Sequence, residues 1–308
     1  VKTALVLILA VIVSFLPRQT SAANEPLIVG YTSIKGCAAL FTAKEQGYFE
    51  QRGLDVELRV VQNSATEATA IVANAMTLGC STPPVLLQAV SKGIGLIGIA
   101  GGTVSSASDK DAALVARPDA GIAKPEDLIG KKVGVSGIGS TNYVILNAWL
   151  MAHHVDPKGI SYFEVPFSTM YDVLKRGTVD AVASVVPVLT RILDDKIGAP
   201  LVYLQSTPPP GTPIDIYVSS TDWANKNPAT VNAFRGAIAD GAKFALAHRD
   251  LADQYVAKYL NQPLSVVKET PDSILDSRLT AKGMGWWLDA MKAQGLIRND
   301  ISDPVVAR

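Results

Sequence analysis

The clearest binding chemistry in the chain lies in a run of small and hydroxyl-bearing residues, Gly137-Ile138-Gly139-Ser140-Thr141-Asn142. Lys132 to Ser136, just before it, reads as a short buried strand. Val144 to Met151, just after it, carries apolar residues at helical spacing. Ser, Thr and Asn are favoured at the start of a helix, so the run predicts a strand, a turn and a capped helix N-terminus. The first N–H groups of a helix have no partner inside it, and the helix dipole places roughly half a positive charge there, so such a turn suits an oxyanion. Gly137 and Gly139 would let a ligand approach the backbone closely. The turn lacks the Gly-Lys-Ser/Thr ending of a nucleotide P-loop and lacks Gly-x-Gly-x-x-Gly, so it does not suggest a nucleotide. An ordinary strand-to-helix turn without a ligand would use the same residue types.

Other reactive side chains are few. Cys37 and Cys80 are the two cysteines, and there are three histidines without metal-ligand spacing. The cysteines fall after one strand and at the end of another. If those strands are neighbours, both sulfurs lie at one sheet edge, either as a disulfide or as two small buried hydrophobes. No Ser-His-Asp set and no pair of carboxylates is brought together by the predicted elements. His153-His154 is expected at a solvent-facing helix end, and Trp286-Trp287 in the packing of a C-terminal helix.

The chain has 308 residues, 48% hydrophobic and 18% charged, enough for two domains of ordinary size with substantial cores. The formal net charge is zero, and no basic run points to nucleic acid. Lys2, the apolar run Ala4 to Leu16 and Thr20-Ser21-Ala22 read as a secretory signal peptide over residues 1–22, cut near Ala23. The run is shorter than the roughly 20 residues a membrane span needs. An uncleaved anchor is the competing reading.

The elements that must position these residues alternate. Strands are expected at Leu27–Thr32, Leu54–Val60, Thr77–Cys80, Ile94–Ala100, Ala113–Ala116, Lys132–Ser136, Tyr162–Val165, Val179–Ser184, Leu201–Leu204 and Ile214–Ser219. Most of them are separated by helical stretches, which argues for parallel sheets with both faces covered. Thr207-Pro208-Pro209-Pro210-Gly211-Thr212-Pro213 reads as a stiff extended connection. After Pro228 the chain is helical.

Four stretches resemble a known family. They are Ala43-Lys44-Glu45-Gln46-Gly47-Tyr48-Phe49-Glu50-Gln51-Arg52-Gly53-Leu54-Asp55-Val56, then Pro125-Glu126-Asp127-Leu128-Ile129-Gly130-Lys131-Lys132-Val133-Gly134-Val135, then Leu174-Lys175-Arg176-Gly177-Thr178-Val179-Asp180-Ala181, and the long helix after Pro228. In this order they are similar to the periplasmic substrate-binding proteins of ABC importers for sulfonates, taurine, nitrate and pyrimidine precursors of thiamine. Ala75-Met76-Thr77 departs from the Gly-x-x-Asp usual in that family.

The resemblance implies an α/β, two-lobed periplasmic-binding-protein fold of type II. Each lobe would be a mostly parallel sheet flanked by helices, with two hinge crossings between lobes. Residues 24–112 and 216–308 would form lobe one, and residues 113–215 lobe two. The ligand would lie between the carboxyl ends of the strands. It would touch Ser33, Lys35, Gly36, Cys37, Asn63, Ser64, Ser81 and Thr82 from lobe one, Gly139, Ser140, Thr141, Asn142, Val185 and Pro187 from lobe two, and Asp215 at the second crossing. Lys35 is the one nearby cation, and a solvated loop lysine is the alternative. The resemblance further implies a monomeric, exported receptor, not an enzyme. It would need no cofactor or metal and would pass a small anionic ligand to an ABC permease and its ATPase in the inner membrane. A subunit sensing a ligand for a membrane kinase, or an enzyme on the same fold, would share the architecture.

Overall fold

Two mixed sheets carry the chain in the computed structural model, which describes residues 26–297, 301 and 305–307. The expected signal segment lies outside the described residues. In chain order the elements are β1 (Leu27–Tyr31), α1 (Ala38–Glu45), β2 (Val56–Val60), α2 (Ser64–Val72), β3 (Leu78–Ser81), α3 (Pro83–Ser91) and β4 (Leu96–Val104). There follow β5 (Ala112–Ala116), β6 (Lys132–Val135), α4 (Thr141–Ala152), β7 (Ser161–Glu164), α5 (Phe167–Lys175), β8 (Ala181–Val185), α6 (Val188–Asp194) and β9 (Ala199–Tyr203). The chain then returns through β10 (Pro213–Ser220), α7 (Thr221–Lys226), α8 (Pro228–Ala247), α9 (Arg249–Leu260), α10 (Leu264–Glu269), β11 (Ile274–Leu275) and α11 (Gly285–Ala293).

The first sheet has the order β11-β4-β10-β3-β1-β2 and the second β7-β6-β8-β5-β9. β1 pairs in parallel with β2 and β3, whereas β10 is antiparallel to β3 and β4. In the second sheet β6 is parallel to β7 and β8, and β5 is antiparallel to β8 and β9. The edge strand β11 is antiparallel to β4, and the reversed interior strands β5 and β10 are the ones the chain enters as it crosses between sheets. A strand arriving from the facing lobe enters at the carboxyl-end edge and so runs against its neighbours. This places Ala112 opposite Val185 and Ile216 opposite Ser81, so both crossings open at the edges where a ligand is expected.

The sheets divide the chain slightly differently from expectation. Ala112, expected in lobe one, opens β5 of the second sheet, and Pro213 to Asp215, expected in lobe two, belong to β10 of the first. The crossings are therefore 105–111 and 204–212, and they are bonded to each other. Ser105 N donates to Thr212 O at 2.8 Å, Gly211 N to Ser105 O at 2.9 Å, and Ser105 Oγ to Pro209 O at 2.7 Å. The stiff proline stretch is thus one rail of a two-railed connection.

Packing follows the apolar stripes. α1 lies against α8 so closely that a Cβ on Gly241 would run into the Ala39 carbonyl. Trp287 of α11 is fully buried and donates its Nε1 hydrogen to Pro213 O at 2.6 Å, fixing the C-terminal helix at the base of the crossing. Its neighbours in one apolar cluster come from α3, α4 and both sheets, so the lobes share a core on this side. Among the described residues no helix is long and apolar enough to cross a membrane.

Candidate functional site

On the second lobe, β6 delivers the chain to the glycine turn and α4 begins at Thr141 with Ser140 as its N-cap. Gly139 has φ +79°, a conformation that glycine adopts without strain. Its carbonyl accepts from Gln88 Nε2 of α3 at 2.9 Å, a direct bond between the lobes. Ser140 makes no side-chain cap bond, and both Ser140 Oγ and Thr141 Oγ1 are buried without a hydrogen-bond partner. A buried hydroxyl left unpaired costs about 1–3 kcal/mol, so two of them side by side at a helix N-terminus suit an acceptor supplied from outside the chain. Asn142 is buried and donates from Nδ2 to Ala183 O at 3.5 Å. Ser184, next on β8, is fully buried, and its Oγ is also unpartnered. Val185 ends that strand. Pro187, which follows a cis Val186–Pro187 bond, borders a recess shared with Lys35, Leu260, Val266 and Thr270 of the first lobe.

The first lobe places the predicted residues less uniformly. Ser33 is exposed. Asn63 caps α2, accepting from Thr66 N at 2.9 Å and from Thr66 Oγ1 at 3.1 Å, and Ser64 opens that helix. Thr82 is the N-cap of α3, ahead of Pro83, without a side-chain cap bond. Lys35 is not a solvated loop lysine: it is 7% exposed. Its ammonium donates to Val267 O at 3.1 Å and Thr270 O at 3.0 Å, and pairs with Asp253 at 3.3 Å and Asp272 at 3.0 Å. Three N–H groups facing four acceptors leave no donor over, so in this geometry Lys35 fastens the loop after β1 to α9 and α10. Gly36 passes so close to Asp215 that a Cβ there would run into Oδ2. Cys37 and Cys80 are both buried and both free, and Cys37 Sγ donates to Cys80 Sγ at 2.8 Å. Ser81 Oγ is buried and unpartnered.

Beneath these loops lies a set of buried acids. Asp215 Oδ2 accepts from Thr103 Oγ1 at 2.7 Å. Burial pushes its pKa up to about 6, with the Thr103 hydrogen bond opposing and the Asp109 charge adding to the rise. Asp111, at the first crossing, reaches about 7 through burial and the neighbouring charge of Asp109. Asp111 bonds Ser273 through Oδ2, while Oδ1 is unpartnered. Glu67 on α2 is fully buried with both carboxyl oxygens unpartnered. Its burial holds the pKa well above the carboxylate range; Ser81 and the Cys80 backbone lie near enough to oppose this, but neither closes a well-formed hydrogen bond. It sits over Gly79, where a Cβ would run into its carboxyl, and over Gly30, the partner of Gly79 across β1 and β3.

Glu67, Ser184, Thr103, Asp111 and Gln88 belong to this region and were not among the predicted residues. The sequence does carry a signal for Glu67. It stands four residues before Ile71 on the face of α2 that packs inward, and two strand glycines hollow out the space below it. Among the described residues no three His, Cys, Asp or Glu side chains gather so as to hold a metal ion.

This geometry has relatives. A profile of the NMT1/THI5-like family matches residues 35–252. The taurine-binding periplasmic protein of Escherichia coli is 25% identical over 256 residues, covering 83% of this chain and 74% of its own length. A putative thiamine biosynthesis protein of Haemophilus influenzae is 27% identical over 273 residues, covering 84% of this chain and 83% of its own. The alkanesulfonate-binding protein SsuA of Xanthomonas axonopodis, solved with MOPS bound, superposes with a TM-score of 0.76 at 19% identity, over 91% of this chain and 96% of that one. The two-lobed fold with reversed crossing strands is thus that of the periplasmic binding proteins, and the chain belongs to the NMT1/THI5-like family.

Proposed function

We propose that this chain is the solute-binding receptor of an ABC importer, exported and monomeric, closing its lobes on a small molecule with an oxyanion head. It would then deliver that molecule to a membrane permease and its ATPase. The observation that carries the reading is the pair of buried, unpartnered hydroxyls, Ser140 Oγ and Thr141 Oγ1, at the N-terminus of the twelve-residue helix α4. Neutral donors at a helix N-terminus hold an oxyanion without burying a full counter-charge, which would be costly. Lys35, already engaged by its own lobe, is not needed for this.

The opposite wall favours a particular second end on the ligand. Asp215 and Glu67 are buried acids with raised pKa values. Asp215, ionised above about pH 6, would repel an anion and accept hydrogen bonds from N–H groups. An ammonium drawn close would favour the ionised forms of both acids. An oxyanion at one end and an N–H-bearing group at the other is the pattern of an amino-sulfonate, and the taurine-binding relative supports that class. Titration calorimetry with taurine, ethanesulfonate, nitrate and an aminopyrimidine tests the reading. Taurine should bind, and ethanesulfonate, which keeps the oxyanion but lacks the amine, should bind at least about tenfold more weakly, since a hydrogen bond to a charged group contributes about 1.5–3 kcal/mol. Equal affinity for the two would remove the second end from the account, and failure of every oxyanion to bind would remove the first.

A further inference from the structure

The two cysteines lie where neither the fold nor the proposed ligand chemistry requires a thiol. Cys37 ends the loop after β1 and caps α1, while Cys80 is the third residue of β3, the strand beside β1. They are 43 residues apart in sequence, yet their sulfurs stand 2.8 Å from each other, with 0% and 1% of the residues exposed. Among the described residues Cys37 Sγ has Thr32 O, at 3.7 Å, and Cys80 Sγ as its hydrogen-bond partners. A disulfide needs sulfurs about 2.0 Å apart on neighbouring chain segments, so joining them asks for a small further approach of the two sulfurs.

We propose that Cys37 and Cys80 are a disulfide-forming pair, oxidised after export by thiol–disulfide exchange, and that the bond ties the ligand-side loop Ser33–Cys37 to the end of β3. The oxidant is a disulfide, carried either by a dithiol–disulfide oxidoreductase or by a small molecule. The Cys37 thiol loses its proton to solvent, and the thiolate attacks one sulfur of the oxidant disulfide, releasing the other as a thiolate. The Cys80 thiol then loses its proton and attacks Cys37 Sγ of the mixed disulfide, releasing the second oxidant thiolate. Two cysteine protons and two electrons leave the protein, and the oxidant becomes a dithiol, or two thiols, on protonation. Cys37 is the first attacker because it ends the loop that begins at exposed Ser33, whereas Cys80 is held within the strand opposite Tyr217. Burial raises the Cys37 thiol, the hydrogen bond from Cys37 and then burial raise the Cys80 thiol, and the charges of Asp215 and Glu67 add to both, so exchange is slow while the pair stays buried. The bond would hold Gly36 over Asp215, and with it the lobe-one wall, in every oxidised molecule.

The test uses the purified full chain and oxidised glutathione as the probe, and it does not depend on which ligand the cleft takes. Oxidation should lower the intact mass by about 2 Da, remove both thiols from titration in denaturant, and yield a reducible cross-linked Cys37–Cys80 peptide. Closing a loop of this length should raise the melting temperature by about 5–10 °C, reversed by dithiothreitol. C37S and C80S should show neither the mass loss nor the shift, and C80A, with its folding checked by circular dichroism, serves if the serine variants do not fold. Two titratable thiols after prolonged oxidation, a stable glutathione adduct on one cysteine, or a disulfide that leaves the melting temperature unchanged would each overturn the proposal.

Discussion

Removing the Thr141 hydroxyl separates binding from scaffolding. Thr141 Oγ1 makes no hydrogen bond within the protein, and the N-cap residue Ser140 makes no side-chain cap bond. In Thr141→Ala, no hydrogen bond of that oxygen within the protein is lost, a buried unpaired hydroxyl disappears, and alanine is the better helix former. The ligand-free protein should therefore keep its stability or gain up to about 1 kcal/mol. A hydrogen bond to an oxyanion contributes about 1.5–3 kcal/mol, so affinity should fall by roughly 10- to 150-fold. Calorimetry with whichever oxyanion of the panel binds, beside thermal melts of the free protein, reads both quantities from one variant. The reasoning fails if Thr141→Ala binds like the wild type while melting earlier. That is the outcome for a helix start whose hydroxyl serves only as a cap, where loss costs about 0.5–2 kcal/mol.

Three further outcomes follow from the first lobe. Lys35→Met should destabilise the protein by about 2–4 kcal/mol in urea unfolding. It breaks a buried ion pair with Asp253, while the half-exposed Asp272 is screened by solvent. Gly36→Ala should weaken ligand binding and lower stability by about 1–3 kcal/mol, because the added methyl meets the Asp215 carboxyl; calorimetry and melts check both. The raised pKa values of Asp111, about 7, and Asp215, about 6, set a pH trend. Between the ordinary carboxylate range and these values the folded chain holds protons that the unfolded chain has released. The contribution of these two groups should thus fall as pH rises from about 4 to about 7, by up to about 1.4 kcal/mol per unit for each group, and level off above. Urea midpoints at about pH 5 and about pH 7.5 measure this, and Asp111→Asn should flatten the difference.

Most of the scaffold was legible because strand and helix periodicities alternate cleanly: β1, β6, β8, α4 and α8 lie within a residue or two of where the pattern puts them. What the pattern does not encode is direction. β5 and β10 read as ordinary strands, and only their pairing partners make them antiparallel. The two-residue β11 has no period to detect. The turn before α4 was found from residue types because its chemistry is local. Lys35 was not assigned its role because its acceptors, Asp253, Val267, Thr270 and Asp272, lie more than 200 residues away. Asn63, expected at the ligand, has its side-chain oxygen engaged as the cap of α2. Glu67 escaped notice because an acid in the first turns of a helix is ordinary. Only the facing glycines of two strands, adjacent after folding, turn it into a buried carboxyl.

The binding chemistry puts an oxyanion at the start of α4 between the lobes. A crystal structure of the complex with taurine, or with the tightest-binding oxyanion of the panel, tests it most directly. Oxyanion oxygens should lie within hydrogen-bond distance of Ser140 Oγ, Thr141 Oγ1 and the first N–H groups of α4. An oxyanion bound elsewhere, with those two hydroxyls still without a partner, would contradict it.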